Sequence, residues 1–248
     1  MRHLTWQPTA DPDVRLTGYL HDPSEKYANL AARPAVLVFP GGGYEICSDR
    51  EAEPVALAFA GAGYHSFVLR YPVGAASQWP APMQAAEGAL RLISDQAAEL
   101  GVDTQRIAVA GFSAGGHLAA ALSVLGSVRP AATLLIYPVT TGQTLRLCNR
   151  GVHPAPDLLA ALDSTCPATF LAHTASDELV PVTDSLRYAQ RLAECQIPFE
   201  LHVFPSGAHG MSLADWSTSG GVPDKQSAVF AGWRPLAIAW LGRTFSLC

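Results

Sequence analysis

The chain has 248 residues, of which 49% are hydrophobic and only 15% charged, and its net charge is −5. So apolar a composition excludes a disordered chain, and scattered charges with no basic run exclude the basic face that nucleic-acid binding needs. The length fits one large domain or two small ones, with a core that needs neither disulfides nor a metal for support.

In chain order, Val14 to Leu20 alternates weakly and reads as an edge strand, followed by a polar loop from His21 to Arg33. Ala35 to Phe39 is a short continuous apolar run stopped by Pro40 and three glycines, the look of a parallel strand buried on both faces. Ser48 to Ala60 reads as a helix: Ser48 and Glu51 form a capping-box pattern, and Gly61 and Gly63 close the segment. Ser66 to Tyr71 is a second central strand. Pro82 to Leu100 is the clearest helix, with proline in its first turn, a stripe of Ala86, Leu90 and Ile93, and Gly101 as its stop. Arg106 to Ala110 is a third strand, Ser113 to Leu125 a helix, and Ala132 to Tyr137 a fourth strand. Thr169 to His173 and Glu200 to Phe204 are the fifth and sixth, with the helix Val182 to Glu194 between them. A last helix covers Gln226 to Leu241. Thr141 to Ser164 is irregular and reads as an insertion over the sheet, at most a small cap, with Ser212 to Lys225 also shaping the pocket.

This alternation predicts one α/β domain over residues 1–248: a mostly parallel central sheet with helices on both faces and a minimal cap. Ligands of such sheets sit beyond the carboxyl ends of the strands, so chemical residues belong just after strands. The five cysteines, at 47, 148, 166, 195 and 248, are odd in number, widely spaced and without a C-x-x-C. They suit a reducing compartment better than a disulfide framework or a zinc site. MRHLTWQPTADPDV has no apolar core of a signal peptide, and no apolar stretch approaches the roughly 18 residues of a membrane span. The expectation is a cytoplasmic protein with no membrane or nucleic-acid partner. The sequence leaves the oligomeric state open, a homodimer among the forms it allows.

The strongest motif is Gly111-Phe112-Ser113-Ala114-Gly115, which closes a strand and opens a helix. That is the context of a nucleophile elbow, in which flanking glycines let strand and helix pass and the hydroxyl sits at a helix N-terminus. A serine hydroxyl needs a base, and the base needs an orienting carboxylate, in the chain order serine, acid, histidine. Asp177 follows the fifth strand and is the expected acid, with Glu178 and Asp184 as the other acids nearby. His209, in the loop Ser206-Gly207-Ala208-His209-Gly210, is the expected base. His202 lies inside a strand and reads as packing, and His117, one turn into the elbow helix, as structural. The oxyanion of a tetrahedral intermediate calls for backbone donors, and these are expected from Ala114, Gly42 and Gly43. Tyr44 reads either as lining the substrate pocket or as simple packing. SDREAEP, from Ser48 to Pro54, is a charged cluster in a weakly charged chain. It reads as a capped helix start with local ion pairs, or else as a support for the glycine loop or a contact to substrate. No dinucleotide, P-loop or H-E-x-x-H pattern occurs, so no cofactor and no metal is expected.

The segments VLVFPGGGY, SDREAEPVALAFAGAGYHSFVLRYPV, GFSAGGHLAA, ASDELVPV and GAHGMSL together resemble the α/β-hydrolase superfamily over nearly the whole chain. Within it they are similar to the small bacterial acetyl-xylan-esterase-like and lipase/esterase-like branch. The family's serine, acid and histidine motifs match Ser113, Asp177 and His209. In the related hormone-sensitive-lipase-like esterases the glycine loop opens with histidine, and Pro40 holds that place here. The resemblance implies hydrolysis of short acyl esters, acetyl groups on a sugar among them, with a small-molecule ester as the partner. Residue chemistry alone supports acyl transfer to water. The alternatives are a serine peptidase or amidase of prolyl-oligopeptidase-like type, whose catalytic domains share the G-x-S-x-G-G and D-x-x-V-P features, and a non-catalytic protein on the same fold.

Overall fold

The computed structural model describes residues 1–24, 26, 28–148 and 155–247. Eight strands form one sheet: β1 (Arg2–Trp6), β2 (Arg15–Leu20), β3 (Arg33–Phe39), β4 (His65–Arg70), β5 (Val102–Phe112), β6 (Ala132–Ile136), β7 (Ala168–Thr174) and β8 (Phe199–Phe204). Their order is β1-β2-β4-β3-β5-β6-β7-β8. β1 and β2 are antiparallel to their neighbours, and β4 through β8 pair in parallel. Among the described residues seven helices accompany them: α1 (Glu53–Gly61), α2 (Ala81–Asp95), α3 (Ala97–Leu100), α4 (Ala114–Leu125), α5 (Gly142–Cys148), α6 (Thr183–Glu194) and α7 (Trp233–Thr244). This is the expected α/β-hydrolase fold.

The continuous apolar runs follow from burial on both faces. In β3, Ala35, Leu37 and Phe39 point into one core with the buried sides of α2, α4 and α6. Val36 and Val38 point into the other, with Val55 and Phe59 of α1 and Trp233, Ala237 and Leu241 of α7. An alternating polar face has no place in such a strand. Among the described residues no helix is long and apolar enough to cross a membrane.

Four boundaries depart from expectation. β2 is not the edge strand, because β1 pairs outside it from Arg2↔Leu20 to Trp6↔Leu16. β1 is largely exposed and polar, so its sequence carries no burial signal. The helix expected from Pro82 to Leu100 is interrupted at Gln96, and Gly101 then ends α3 in the left-handed conformation at φ 74°. The last helix begins at Trp233 rather than Gln226. The Ser227 amide is spent on the carbonyl of Ala214, which ties that stretch back to a preceding loop.

The fourth departure matters most. The capping box does not form: Ser48 makes no side-chain cap bond, residues 49–51 are a 3-10 turn, and α1 starts only at Glu53. Glu51 is instead turned inward and is 3% exposed. In the 141–164 segment, α5 and a 3-10 turn at Leu159–Ala161 are described, while residues 149–154 lie outside the described residues.

Candidate active site

β5 delivers Ser113 into a turn with φ 53° and ψ −119°, after which α4 begins at once. A left-handed non-glycine residue is strained, and strain of this kind persists only where its surroundings fix it. Here the Ser113 amide donates to the carbonyl of Ile136 at 3.1 Å, and the Ser113 carbonyl accepts from His117 and Val139, both at 3.1 Å. Gly115 sits where β3 passes closest: a Cβ there would lie 2.1 Å from the Phe39 oxygen and 2.4 Å from that of Pro40. Only a residue without a side chain allows that crossing.

Three loops after β5, β7 and β8 bring the expected side chains together. Ser113 Oγ lies 2.8 Å from His209 Nε2, and His209 Nδ1 lies 2.7 Å from Asp177 Oδ2. With a carboxylate facing Nδ1, that nitrogen carries the proton and Nε2 is left to accept from the serine. Asp177 Oδ1 accepts from the amides of Leu179 at 3.0 Å and Val180 at 2.9 Å. Burial by itself would raise the Asp177 carboxyl. Hydrogen bonds from His173 and His209, and the attraction of His209, outweigh it and hold the group well below the usual carboxylate range.

The loop after β3 supplies the backbone donors. Gly42 (φ 127°) and Gly43 (φ 65°) carry it past Ser113 in left-handed conformations. A Cβ on Gly42 would meet the Ile46 oxygen at 2.2 Å. The Gly41 amide is occupied, donating to Glu51 Oε2 at 2.8 Å. Among the described residues the amides of Gly42 and Gly43 have no acceptor within the protein, and both residues line the cleft in front of Ser113. Ala114, as first residue of α4, presents an amide that the helix leaves unpaired.

Tyr44 does not line the cleft. It is 1% exposed, packs edge-on against Tyr71 and His117, and its hydroxyl lies 3.0 Å from His117 Nδ1. The chain turns through φ 64° at Tyr44, which swings the ring into the core. His117 is fully buried, its other ring nitrogen 2.9 Å from the Pro156 carbonyl. His202 lies against Phe170 and Glu200. Asp184 is buried under the turn after β6, and Glu178 stands on the cleft wall.

The cleft has a volume of about 880 Å³. Its walls come from residues within 42–51, 176–179 and 207–210 and from Asp224 and Lys225. Among the described residues of 141–164 none contributes to these walls. Ser212 to Lys225 reaches the cleft through Asp224 and Lys225, and Lys225 Nζ bonds the carbonyl of His209.

Two supporting residues carry no local signature. His173, the last but one residue of β7, is held between Ser185 Oγ at 2.8 Å and the Val180 carbonyl at 3.0 Å, with Nε2 3.4 Å from Asp177 Oδ2. Tyr137 donates its hydroxyl to Glu51 Oε1 at 2.7 Å and lays its ring edge-on to that of His209. Their partners are fixed by the fold, and only the odd density of charge around Glu51 hinted at that residue.

The chain is similar to several known proteins. The BD-FAE family model matches residues 22–134. MGS-M1, an α/β-hydrolase enzyme from a Medee basin deep-sea metagenome library, is 39% identical with a TM-score of 0.93, over 99% of this chain and 98% of its own. The chain belongs to the α/β-hydrolase superfamily, in its esterase-like branch. The carboxylesterase Cest-2923 from Lactobacillus plantarum WCFS1 is 29% identical to this chain with a TM-score of 0.90, over 98% of this chain and 97% of its own. An acetylxylan esterase of Xylanibacter ruminicola is 26% identical over 73% of this chain and 42% of its own length. The chain spans less than half the length of that and several other curated relatives, at 35% and 49% for two more.

Proposed function

We propose that the chain hydrolyses short-chain carboxylic esters, acetyl esters foremost, through an acyl-enzyme on Ser113. The observation that carries this reading is the hydrogen-bonded line from Ser113 through His209 to Asp177, ending in a cleft beside two unoccupied glycine amides. Ser113 Oγ attacks the ester carbonyl carbon as His209 Nε2 takes its proton. The carbonyl oxygen becomes an oxyanion that accepts from the amides of Ala114, Gly42 and Gly43. Asp177, held ionised, stabilises the imidazolium. The intermediate collapses, the alcohol leaves with the proton from His209, and an acyl-serine remains. Water then attacks that ester, gives its proton to His209, and releases the carboxylic acid while Ser113 regains its hydrogen.

An acetylated sugar as substrate is supported by the walls of the cleft. They carry Glu45, Arg50, Glu178, Asp224 and Lys225, side chains that can bond a hydroxyl-rich alcohol. The names of the acetylxylan esterase and carboxylesterase relatives point the same way.

The test is a p-nitrophenyl ester series from acetate to octanoate, with acetylated xylo-oligosaccharides alongside. Ser113→Ala is expected to lower kcat by at least about 10⁴-fold with the melting temperature little changed. A fluorophosphonate should label the wild type at Ser113 and leave the variant untouched. Acetate preference with sugar deacetylation supports the full reading. A peak at longer chains removes the acetyl assignment, and cleavage of aminoacyl amides with no activity on esters overturns the esterase.

A further inference from the structure

Glu51 lies outside the line of reacting groups, yet it is a carboxylate buried between the glycine loop and the histidine loop. One oxygen accepts from the Gly41 amide at 2.8 Å, and the other accepts from the Tyr137 hydroxyl at 2.7 Å. The Tyr137 oxygen in turn accepts from the Ser212 amide at 2.8 Å. Ser212 Oγ donates back to the carbonyl of Arg50, the neighbour of Glu51, at 2.5 Å. The 3-10 turn at 49–51 thereby grips the end of the histidine loop twice. The Tyr137 ring also meets the His209 ring edge-on, with centroids 5.0 Å apart. On the other side, a Cβ at Gly41 would lie 2.7 Å from Glu51 Oε2 and 3.0 Å from the Ser113 Cβ. The carboxylate and the serine thus face each other across a single glycine.

We propose that Glu51 is a positioning residue that locks the oxyanion-donor loop and the His209 loop into one unit. The proposal rests on the serine-esterase reading above. The carbonyls of Pro40, Gly41 and Gly42 are held by the Tyr71 hydroxyl and by the amides of Ser48, Glu45 and Ile46, and Glu51 adds the acceptor for the Gly41 amide, directly before the two donor glycines. Donors aimed before the charge develops cost no reorganisation in the transition state. The chemistry also selects glutamate over glutamine. Both groups that face Glu51 are donors, and the tyrosine oxygen is already used as an acceptor by Ser212. Two acceptor oxygens are therefore needed, and an amide offers one.

The test compares wild type, Glu51→Gln and Tyr137→Phe on p-nitrophenyl acetate, with active sites counted by fluorophosphonate titration. Per labelled site, Glu51→Gln is expected to lose about 10- to 100-fold in kcat with KM changed less than about threefold, the pattern of an interaction made in the transition state. Tyr137→Phe keeps the ring and cuts the link to Ser212, with a smaller loss of the same kind. A purely structural role would lower the melting temperature and the number of labelled sites while leaving kcat per site intact. That result, or a kcat within about twofold of wild type, overturns the proposal. If Glu51→Gln does not fold, Tyr137→Phe decides by the same criterion. A wild type that is neither labelled nor active on any ester removes the parent reading and this one with it. A labelled, active wild type beside a full-rate Glu51→Gln removes this one alone.

Discussion

At Gly115 the space for a single methyl group decides whether the elbow can exist. Its missing Cβ is where the carbonyls of Phe39 and Pro40 lie, both backbone atoms that have no rotamer to escape into. Gly115→Ala is therefore expected to cost at least about 2–3 kcal/mol or to abolish folding. The loss would be read as a lower urea midpoint or an insoluble product; a variant as stable as wild type would show that β3 and the elbow are farther apart than described. Asp177 makes a different point at the same scale. Its carboxylate serves His209 and also closes the turn through the amides of Leu179 and Val180. Residues that a sequence singles out for chemistry can carry local architecture as well.

Among the elements, α6 is tied to the turn after β6 by one buried acid. Asp184 accepts from the Thr140 amide at 2.8 Å, the Thr141 amide at 3.4 Å and the Thr144 hydroxyl at 2.8 Å. Asp184→Ala orphans these buried donors and is expected to cost about 2–4 kcal/mol in urea denaturation. A change below about 0.5 kcal/mol would mean that water replaces the carboxylate. This scale also separates what the sequence announces from what it conceals. β3, β7 and the second half of β5, from Ile107 on, are continuous apolar runs because both faces are buried, and such runs are visible in one dimension. β1 is polar and pairs on one side only, so nothing marks it. The Ser48–Glu51 pattern matches a helix cap locally, but the partners of Glu51 are Gly41 and Tyr137, ten and 86 residues away. Ser113, Asp177 and His209 stood out because each follows a strand. His173 and Tyr137 also end or follow strands, but their partners emerge only when the strands are in register.

Across the whole molecule, two buried histidines set the response to acid. Burial holds His117 at about 4, and burial with the repulsion of His21, Arg33 and Arg2 lowers His65 to about 4 as well, both from 6.5. Both rings stay neutral in the fold and take up protons only when it opens. Between pH 6.5 and 4 the unfolded chain binds more protons, so stability falls as pH falls through that window and levels off below it. The carboxyl of Asp177, held low, adds a further loss only beneath its ordinary 3.8. The melting temperature is expected to drop by several degrees from pH 7 to pH 4.5. His117→Gln should remove part of that slope, and a flat profile in the wild type would refute the assignment.

The cleft walls and the reacting groups are held by different means. Ser113 is fixed by a main-chain bond to β6, the Asp177 carboxylate by the amides of Leu179 and Val180, and the glycine loop by its own turn bonds and Glu51, whereas the rim at Ile46 and Leu179 is 61% and 53% exposed. Substitution can therefore accumulate on the rim without disturbing the frame behind it. A lineage built this way can change its diet while keeping its chemistry, and a laboratory selection for a new alcohol would begin at Ile46, Leu179 and Asp224.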